Sequence, residues 1–411
     1  MKNKFKKDAI VTLLVQGLVA ISNFFILVYI SREYGTESYG DFYLIKRFSD
    51  LFWVCLLIGL TVSIPRNIHK VNQITVLYTS IAVLFISLFL LFLDPINLVD
   101  FFINENKYKL VFKIFVASQM IFGLSNSIQR GMESFWKYNI FMFINFICIP
   151  LGSLIYSTNI ESYIGNLAIG SIIVNTILAS TLFARLIISN RNENVDMKDI
   201  YFVISYGAKR LPGLFIASFI FTFPIFVIDS IGLVQLKGYV SQIFQLFSLI
   251  LLPINTIGTL LLPKLSKSIF SYDKTHYVSI YKIIMKFYAF ICIGSIIVSV
   301  LIPPIVYLIN SNFNYGVCIT LISLGILPLS IYNLFRNFID ALSDKAWTTY
   351  IVLTSFLLAA FILYILLKTA INTTLSVSIF ILTLYSLLGI LTLLTFKTLN
   401  RRYINDQHTS Y

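Results

Sequence analysis

The chain has 411 residues, of which 58% are hydrophobic and only 12% are charged, and its formal net charge is +13. Soluble domains carry about 25% charged residues, so a water-soluble enzyme of this size is excluded. A membrane-spanning helix needs about 20 apolar residues, which leaves room for twelve such helices joined by short loops. The composition therefore predicts an all-α, polytopic membrane protein.

Twelve apolar runs follow one another along the chain. They stay apolar over many consecutive residues instead of alternating every second residue, which predicts helices rather than the strands of a barrel. The predicted spans cover residues 10–30, 42–64, 74–93, 110–129, 138–156, 164–188, 211–229, 238–262, 281–302, 317–335, 347–367 and 373–396.

The basic residues predict how the spans are oriented. Four lysines precede the first run and no Ala-x-Ala cleavage site follows it, so we expect an uncleaved first helix. When the loops are assigned alternately to two sides, 23 of the 31 Lys and Arg residues fall on the side of the amino terminus. The positive-inside rule then places both termini in the cytoplasm. Topology thus explains most of the positive charge, and no nucleic-acid partner is expected.

Glycine and proline residues mark an internal repeat. Gly40 and Pro65 flank the second span, and Gly238 and Pro263 recur 198 residues later around the eighth. Six spans in each half predict two parallel six-helix lobes around a central cavity, related by an axis along the membrane normal. The expected domains are an N-terminal lobe over residues 1–188, a cytoplasmic linker over 189–202, and a C-terminal lobe over 203–411 with a short cytoplasmic tail. This architecture favours a transporter over a membrane enzyme.

Motifs of enzyme chemistry are missing from the sequence. It contains no GxxxxGK[ST], HExxH or GxSxG motif, which would bind nucleotide phosphates, hold zinc or expose a nucleophile. The four cysteines lie in or beside apolar runs and form no cluster with the three histidines. We therefore expect no catalytic residue, no metal site and no cofactor.

The second span carries three charged residues inside the predicted membrane. Lys46, Arg47 and Asp50 lie on one side of the helix, because they are spaced by three and four residues. An ionisable residue at membrane depth is costly and usually faces a water-filled cavity or a partner. Lys46 and Arg47 snorkelling toward the outer headgroups is one interpretation. We favour an anion site that faces a cavity, since snorkelling would not need Asp50.

A second pair of cations opens the seventh span. Lys209 and Arg210 precede Pro212 and Gly213, which we expect to interrupt the helix near its start. A helix amino terminus beside two cations suits a phosphate group, whereas an ordinary positive-inside pair is the alternative. Arginine binds phosphate oxygens two at a time and lysine acts as a point charge, so in both cationic pairs the arginine ranks first.

Further polar candidates lie on three other spans. On the tenth span, Arg336 and Asp340 are four residues apart and either lock the helix end together or contribute to the cavity. Neutral polar residues in apolar helices either hydrogen-bond a neighbouring helix or meet the hydroxyls of a sugar. Four of them, on the first and fourth spans, complete the candidate substrate-binding set: Gln16, Asn23, Gln119 and Asn126.

Short motifs at matching places in the two halves carry a family resemblance. The first half contains Tyr34-Gly35, Ser38-Tyr39-Gly40-Asp41-Phe42 and Ile64-Pro65-Arg66. The second half contains Tyr206-Gly207-Ala208-Lys209-Arg210-Leu211-Pro212-Gly213, Ile231-Gly232, Gly238-Tyr239 and Leu262-Pro263-Lys264. In their joint order these motifs resemble the Wzx-type flippases of bacterial polysaccharide synthesis. That group is part of the superfamily that includes MATE multidrug extruders and lipid II flippases.

The resemblance implies a substrate and a location. The expected substrate is an oligosaccharide repeat unit of O-antigen or capsule on undecaprenyl pyrophosphate, moved from the cytoplasmic to the periplasmic leaflet of the bacterial inner membrane. Membrane lipids, and the polymerase and chain-length regulator of the same pathway, are the further expected partners. Two alternatives stay open: a MATE-like multidrug or metabolite antiporter, and a membrane O-antigen polymerase or glycosyltransferase.

Overall fold

The computed structural model describes residues 2–95, 97, 99, 106–190, 193–270, 274–310, 315–343, 345–369 and 372–406. All regular structure in these ranges is helical. The helices of the first half are α1 (Lys2–Glu33), α2 (Thr36–Leu56), α3 (Leu60–Asn67), α4 (Gln73–Leu93), α5 (Asn106–Gly131), α6 (Phe135–Phe143), a π-helical turn (Ile144–Cys148), α7 (Ile149–Ile155) and α8 (Ile160–Ser189). Those of the second half are α9 (Met197–Ser230), α10 (Val234–Phe270), α11 (Lys274–Asn310), α12 (Gly316–Leu324), α13 (Ile326–Leu342), α14 (Trp347–Lys368) and α15 (Thr373–Asp406).

The predicted all-helical membrane fold is confirmed. Within the described ranges, eleven helical segments are long and apolar enough to cross a membrane. The number is twelve if α2 and α3, which are bent relative to each other, are counted as one span. Several helices also expose apolar side chains, such as Phe85 and Phe89 on α4 and Ile293 and Ile297 on α11. Such faces suit contact with lipid, because a helix satisfies its own backbone hydrogen bonds.

The second span is broken, whereas the sequence predicted one unbroken helix over residues 42–64. A bend of 57° separates α2 from α3. At the break, Ile58 and Gly59 have positive φ angles of 49° and 70°. A Cβ atom on Gly207 of α9 would lie 2.5 Å from the carbonyl oxygen of Ile58. The break is thus the place where the backbone of α9 packs directly against this span.

The seventh span begins earlier than predicted, and the expected helix start at Lys209 and Arg210 is wrong. α9 starts at Met197, where the Asp196 carboxylate accepts a hydrogen bond of 2.8 Å from the backbone N–H of Lys198. It then continues through Pro212 and Gly213 to Ser230. Membrane helices tolerate proline because neighbouring groups satisfy the backbone carbonyl that it leaves unbonded.

The chain divides into two compact units that differ in detail from the predicted lobes. Unit 1 contains Met1–Ile26 and Asp41–Thr222, and unit 2 contains Leu27–Gly40 and Phe223–Tyr411. In unit 1, the Ser63 hydroxyl of α3 donates a 2.6 Å hydrogen bond to the carbonyl of Val203, which joins the start of α9 to this unit. In unit 2, the Thr36 hydroxyl donates a 2.7 Å hydrogen bond to the side-chain oxygen of Asn310. Residues 27–40 and 203–222 therefore fall in the unit opposite to their predicted lobe.

The two glycines that mark the sequence repeat pack against each other inside unit 2. A Cβ atom on Gly40 would lie 3.2 Å from the backbone nitrogen of Gly238. A Cβ atom on Gly238 would lie 2.5 Å from the carbonyl oxygen of Thr36. The start of α10 thus crosses the start of α2 at backbone contact distance, and a side chain at Gly238 would force the two backbones apart.

Candidate functional site

The charged residues of α2 form a cluster with aromatic side chains in unit 1. We define the α2 cluster as Tyr43, Arg47, Asp50, Trp53 and Phe221. Arg47 pairs with Asp50 at 3.4 Å and also donates a hydrogen bond to the Tyr43 hydroxyl. Its guanidinium carbon lies 4.7 Å from the ring centroid of Tyr43 and 5.1 Å from that of Phe221. The second oxygen of Asp50 accepts from the Trp53 indole N–H at 3.4 Å.

These contacts hold the Arg47 guanidinium in a half-buried position between α2 and α9. The guanidinium is permanently charged and has five N–H donors, of which contact with the face of an aromatic ring uses none. The structure places Arg47 and Asp50 close together, as their spacing in the sequence predicts. Counted with Lys46, which is half-buried on the same helix, this part of α2 carries one net positive charge.

A second cationic cluster joins α3 to α9, also in unit 1. We define the α3–α9 cluster as Arg66, Tyr206 and Arg210. The guanidinium carbons of Arg66 and Arg210 each lie 4.8 Å from the ring centroid of Tyr206. Arg66 also donates a hydrogen bond to the Tyr206 hydroxyl. Both arginines are buried, with relative exposures of 4% and 3%.

The backbone contact between α3 and α9 explains how these side chains meet. Ser63 lies three residues before Arg66, and Val203 lies three residues before Tyr206, so the hydrogen bond from Ser63 to Val203 is one turn from the shared ring. The close approach at Gly207 brings the two helices together beside it. The cluster therefore depends on small residues at the contact between the helices as well as on its arginines.

Arg66 is a functional candidate that the sequence analysis missed. In the sequence it stands in the Ile64-Pro65-Arg66 motif, which by itself indicates no contact for its side chain. Its contact with Tyr206 spans 140 residues of chain, so helical spacing within either segment could not reveal it. The available signal was that Arg66 and Arg210 each stand in a motif that the family resemblance had already singled out.

Two predicted lysines lie apart from the contacts that define the clusters. Lys209 is exposed on α9, although its neighbour Arg210 is buried. On α2, the described ion pair of Asp50 is with Arg47 and not with Lys46. In both pairs the arginine, which ranked first on chemical grounds, is the residue that contacts the aromatic rings.

Arg336 lies in unit 2, and its predicted lock with Asp340 is not observed. Its guanidinium donates to the Asn255 side-chain oxygen at 3.5 Å and lies 5.7 Å from the Tyr332 ring centroid. Asp340 instead accepts a 2.8 Å hydrogen bond from the Thr348 hydroxyl. These bonds join α13 to α10 and to α14, all within unit 2.

The neutral candidates occupy different environments within unit 1. Gln16 is buried, and Asn126 is half-buried with its side-chain nitrogen 3.6 Å from the Met142 sulfur. Asn23 and Gln119 are half-buried on α1 and α5. Interhelical hydrogen bonds of the predicted kind are made by asparagines that were not singled out: Asn139 donates to Thr12 at 3.0 Å, and Asn175 donates to Ser118 at 3.0 Å.

No metal centre is found in the part of the chain that the structure describes. There, no group of three or more His, Cys, Asp or Glu side chains is arranged to hold a metal ion. The buried side chains with chemistry to offer are the Arg66 and Arg210 guanidinium groups, a type of group that binds anions.

Comparison with known proteins adds a family and a fold. The family model described as polysaccharide biosynthesis protein matches residues 5–269. No curated protein sequence matches the chain significantly. A crystal structure of a mutant of the Vibrio cholerae MATE transporter VcmN is 14% identical, with a TM-score of 0.71, and covers 98% of this chain and 99% of its own.

Other MATE structures agree with this likeness. An inward-facing multidrug resistance MATE transporter of the MOP superfamily is 13% identical, with a TM-score of 0.68 and coverage of 98% and 100% of the two chains. MATE in complex with MaL6 is 11% identical, with a TM-score of 0.69 and coverage of 96% and 94%. At these identities the likeness establishes the fold. The predicted resemblance to a MATE-like flippase is confirmed, and the chain belongs to the polysaccharide biosynthesis protein family of membrane proteins.

Proposed function

We propose that this protein is a flippase for an undecaprenyl-pyrophosphate-linked oligosaccharide repeat unit of O-antigen or capsule. It would move the repeat unit from the cytoplasmic to the periplasmic leaflet of the bacterial inner membrane by alternating access. The observation that carries the proposal is the pair of buried arginines on Tyr206, in a chain of the polysaccharide biosynthesis family.

The charge and geometry of the α3–α9 cluster suit a diphosphate. Two guanidinium groups next to one ring bring two positive charges together, and a diphosphate carries at least two negative charges. Each guanidinium presents paired N–H groups that match two phosphate oxygens. The Tyr206 ring contacts both cations and so favours keeping them at one place in a buried environment.

The α2 cluster supplies a second cation for a later stage of transport. The predicted orientation places Arg66 and Arg210 toward the cytoplasm and Arg47 farther along the same unit. We therefore assign initial capture of the diphosphate to Arg66 and Arg210 and its later position to Arg47. The ion pair with Asp50 at 3.4 Å would hold Arg47 in place between substrates.

The glycan needs polar groups of its own, because each sugar hydroxyl loses hydrogen bonds to water when it enters an apolar environment. That loss costs several kcal/mol for each group that finds no new partner. Asn23 and Gln119, half-buried on α1 and α5, remain our candidates for these bonds. The polyprenyl tail is apolar and can stay in the lipid.

Transport in this direction is favoured by an inside-negative membrane potential. One negative charge that moves outward gains about 2.3 kcal/mol for each 100 mV, so a doubly charged diphosphate crossing the whole field gains roughly 4–5 kcal/mol. This driving force needs no bound nucleotide.

The test is complementation of a bacterial strain that lacks its repeat-unit flippase. We expect Arg47→Ala and Arg210→Ala to abolish surface glycan while the protein reaches normal membrane abundance. Arg185→Ala is the matched control, because Arg185 is an exposed arginine of the same unit. Full surface glycan from both site variants would remove the anion-site assignment.

Lipopolysaccharide gels distinguish the proposed function from a polymerase. Loss of a polymerase leaves core carrying a single repeat unit, whereas loss of a flippase removes that single unit as well. A single-unit band in the strain that lacks this protein would contradict the proposal.

A further inference from the structure

Four amide side chains of unit 1 lie on three helices, within about a turn of two contacts that join these helices. They form what we call the amide pocket: Gln16 on α1, Asn126 and Gln129 on α5, and Asn139 on α6. Two contacts bring the three helices together here, namely the 3.0 Å hydrogen bond from Asn139 to Thr12 and the 3.6 Å contact from Asn126 to Met142. Thr12 lies one turn before Gln16, and Met142 lies three residues after Asn139, so the faces converge.

The amide pocket contains polar atoms that no described residue satisfies. The side-chain oxygens of Gln16, Asn126 and Asn139 are buried without a hydrogen-bond partner, and so are both the oxygen and the nitrogen of Gln129. Gln129 is only 1% exposed, so bulk solvent does not reach it. More than nine in ten buried polar groups in proteins are hydrogen-bonded, and leaving several unbonded in one apolar bundle is costly. These atoms therefore need a bound molecule with which they can form hydrogen bonds.

The helix that lines one side of the pocket is locally irregular. Directly after Met142, residues Ile144–Cys148 form a π-helical turn, in which Asn145 donates a 3.0 Å hydrogen bond back to the carbonyl of Phe141. A π-helical turn widens the helix and often occurs at functional sites. The irregularity is thus located next to the unsatisfied amides.

We propose that the amide pocket binds a small cluster of ordered water molecules. The unsatisfied atoms include acceptors from three helices and one donor group, the Gln129 amide nitrogen. Water both donates and accepts, whereas a metal cation would bind the oxygens alone and leave that nitrogen unbonded. The four side chains are neutral, and a buried water typically makes about three hydrogen bonds to groups of this kind. This water links α1, α5 and α6 by hydrogen bonds additional to the direct bond from Asn139 to Thr12.

Radiolytic hydroxyl-radical labelling of the full chain in lipid nanodiscs tests the proposal. Radicals form from water, so a buried methionine beside bound water is oxidised to its sulfoxide, whereas one in a dry core is protected. Met142 is 8% exposed and touches the pocket, and Met120 on α5 is fully buried and serves as the dry control. We expect Met142 to be labelled several-fold faster than Met120. Equal, slow labelling of both would overturn the proposal.

Variants connect the labelling to the amides. Asn126→Leu should slow Met142 labelling several-fold and leave Met120 unchanged. The matched control is Asn333→Leu in unit 2, where the amide donates 2.9 Å to the Leu329 carbonyl of its own helix. If Asn126→Leu does not accumulate, Gln129→Leu replaces it with the same expectation. Unchanged Met142 labelling in a folded pocket variant would refute the site.

The choice of water over a cation is tested in the same experiment. Labelling is repeated in sodium, potassium and choline chloride, and we expect the Met142 rate to be the same in all three. Protection of Met142 by sodium or potassium alone would identify a cation as the occupant and overturn the assignment to water. None of these outcomes depends on glycan export.

Discussion

Replacing Gly207 by alanine should destabilise the protein although alanine favours helices. In an open helical position this substitution stabilises by about 0.5–1 kcal/mol. At Gly207, however, the new Cβ would lie 2.5 Å from the Ile58 carbonyl oxygen and 3.0 Å from the Gly59 carbonyl carbon. Both atoms are backbone, so α9 must shift away from the break between α2 and α3. Overpacking of this kind costs about 1–3 kcal/mol, and after the gain in helix propensity is subtracted a net loss of up to about 2.5 kcal/mol remains.

The matched control for this prediction is Gly165→Ala on α8. Gly165 is also helical, but a Cβ there would meet no atom within 4 Å, so the substitution should raise stability. The assay is the temperature at which the detergent-solubilised protein loses its monodisperse peak in fluorescence-detected size exclusion. Gly207→Ala should lower this temperature by a few degrees and Gly165→Ala should raise it. A rise with both variants would refute the inferred backbone contact at the break.

Two further predictions concern side chains that bridge helices. Tyr206→Leu should reduce glycan export more than Tyr206→Phe does. Phenylalanine keeps the ring shared by the two arginines and loses only the hydroxyl that accepts from Arg66. Export is measured on lipopolysaccharide gels at matched protein abundance, and equal defects in the two variants would contradict a role for the ring. In unit 2, Gln242→Ala should cost about 1–3 kcal/mol, because it removes the two hydrogen bonds of 3.0 and 2.7 Å that Gln242 exchanges with Asn310, and each such bond is worth about 0.5–1.5 kcal/mol. The same thermal assay measures it, and an unchanged transition would show that the amide pair contributes nothing.

Hydropathy was sufficient to predict the membrane helices, because each span is a local property of about 20 residues. The same local reasoning failed where a distant backbone decides the geometry. The bend at Ile58 and Gly59 forms where α9 packs against the second span, and the segment from residue 42 to 64 alone does not reveal that neighbour. Pro212 and Gly213 indicated a helix start, yet in a membrane the surrounding helices allow α9 to continue through them.

The candidate site was predictable only where its residues are close together in the sequence. Arg47 and Asp50 are one turn apart, so helical spacing alone was enough to pair them. Arg66 and Tyr206 meet across 140 residues, and only the folded chain brings them together. Chemical ranking of arginine over lysine remained useful, because Arg210 is buried against an aromatic ring while Lys209 is exposed.

The division of the chain into non-contiguous units bears on how the protein is made. Unit 1 includes residues up to Thr222. The hydrogen bond between Ser63 and Val203 cannot form until Val203, which is 140 residues farther along the chain, has left the ribosome. At synthesis rates of about 5–20 residues per second, α3 would spend roughly 7–28 seconds in the bilayer before α9 reaches it. During that interval Arg66 has not yet met the Tyr206 ring, and burying an arginine before its contacts form is costly. We therefore expect insertion chaperones to bind the first half of the chain while it is being synthesised. A gene split between α8 and α9 should yield stable protein only when both fragments are produced together.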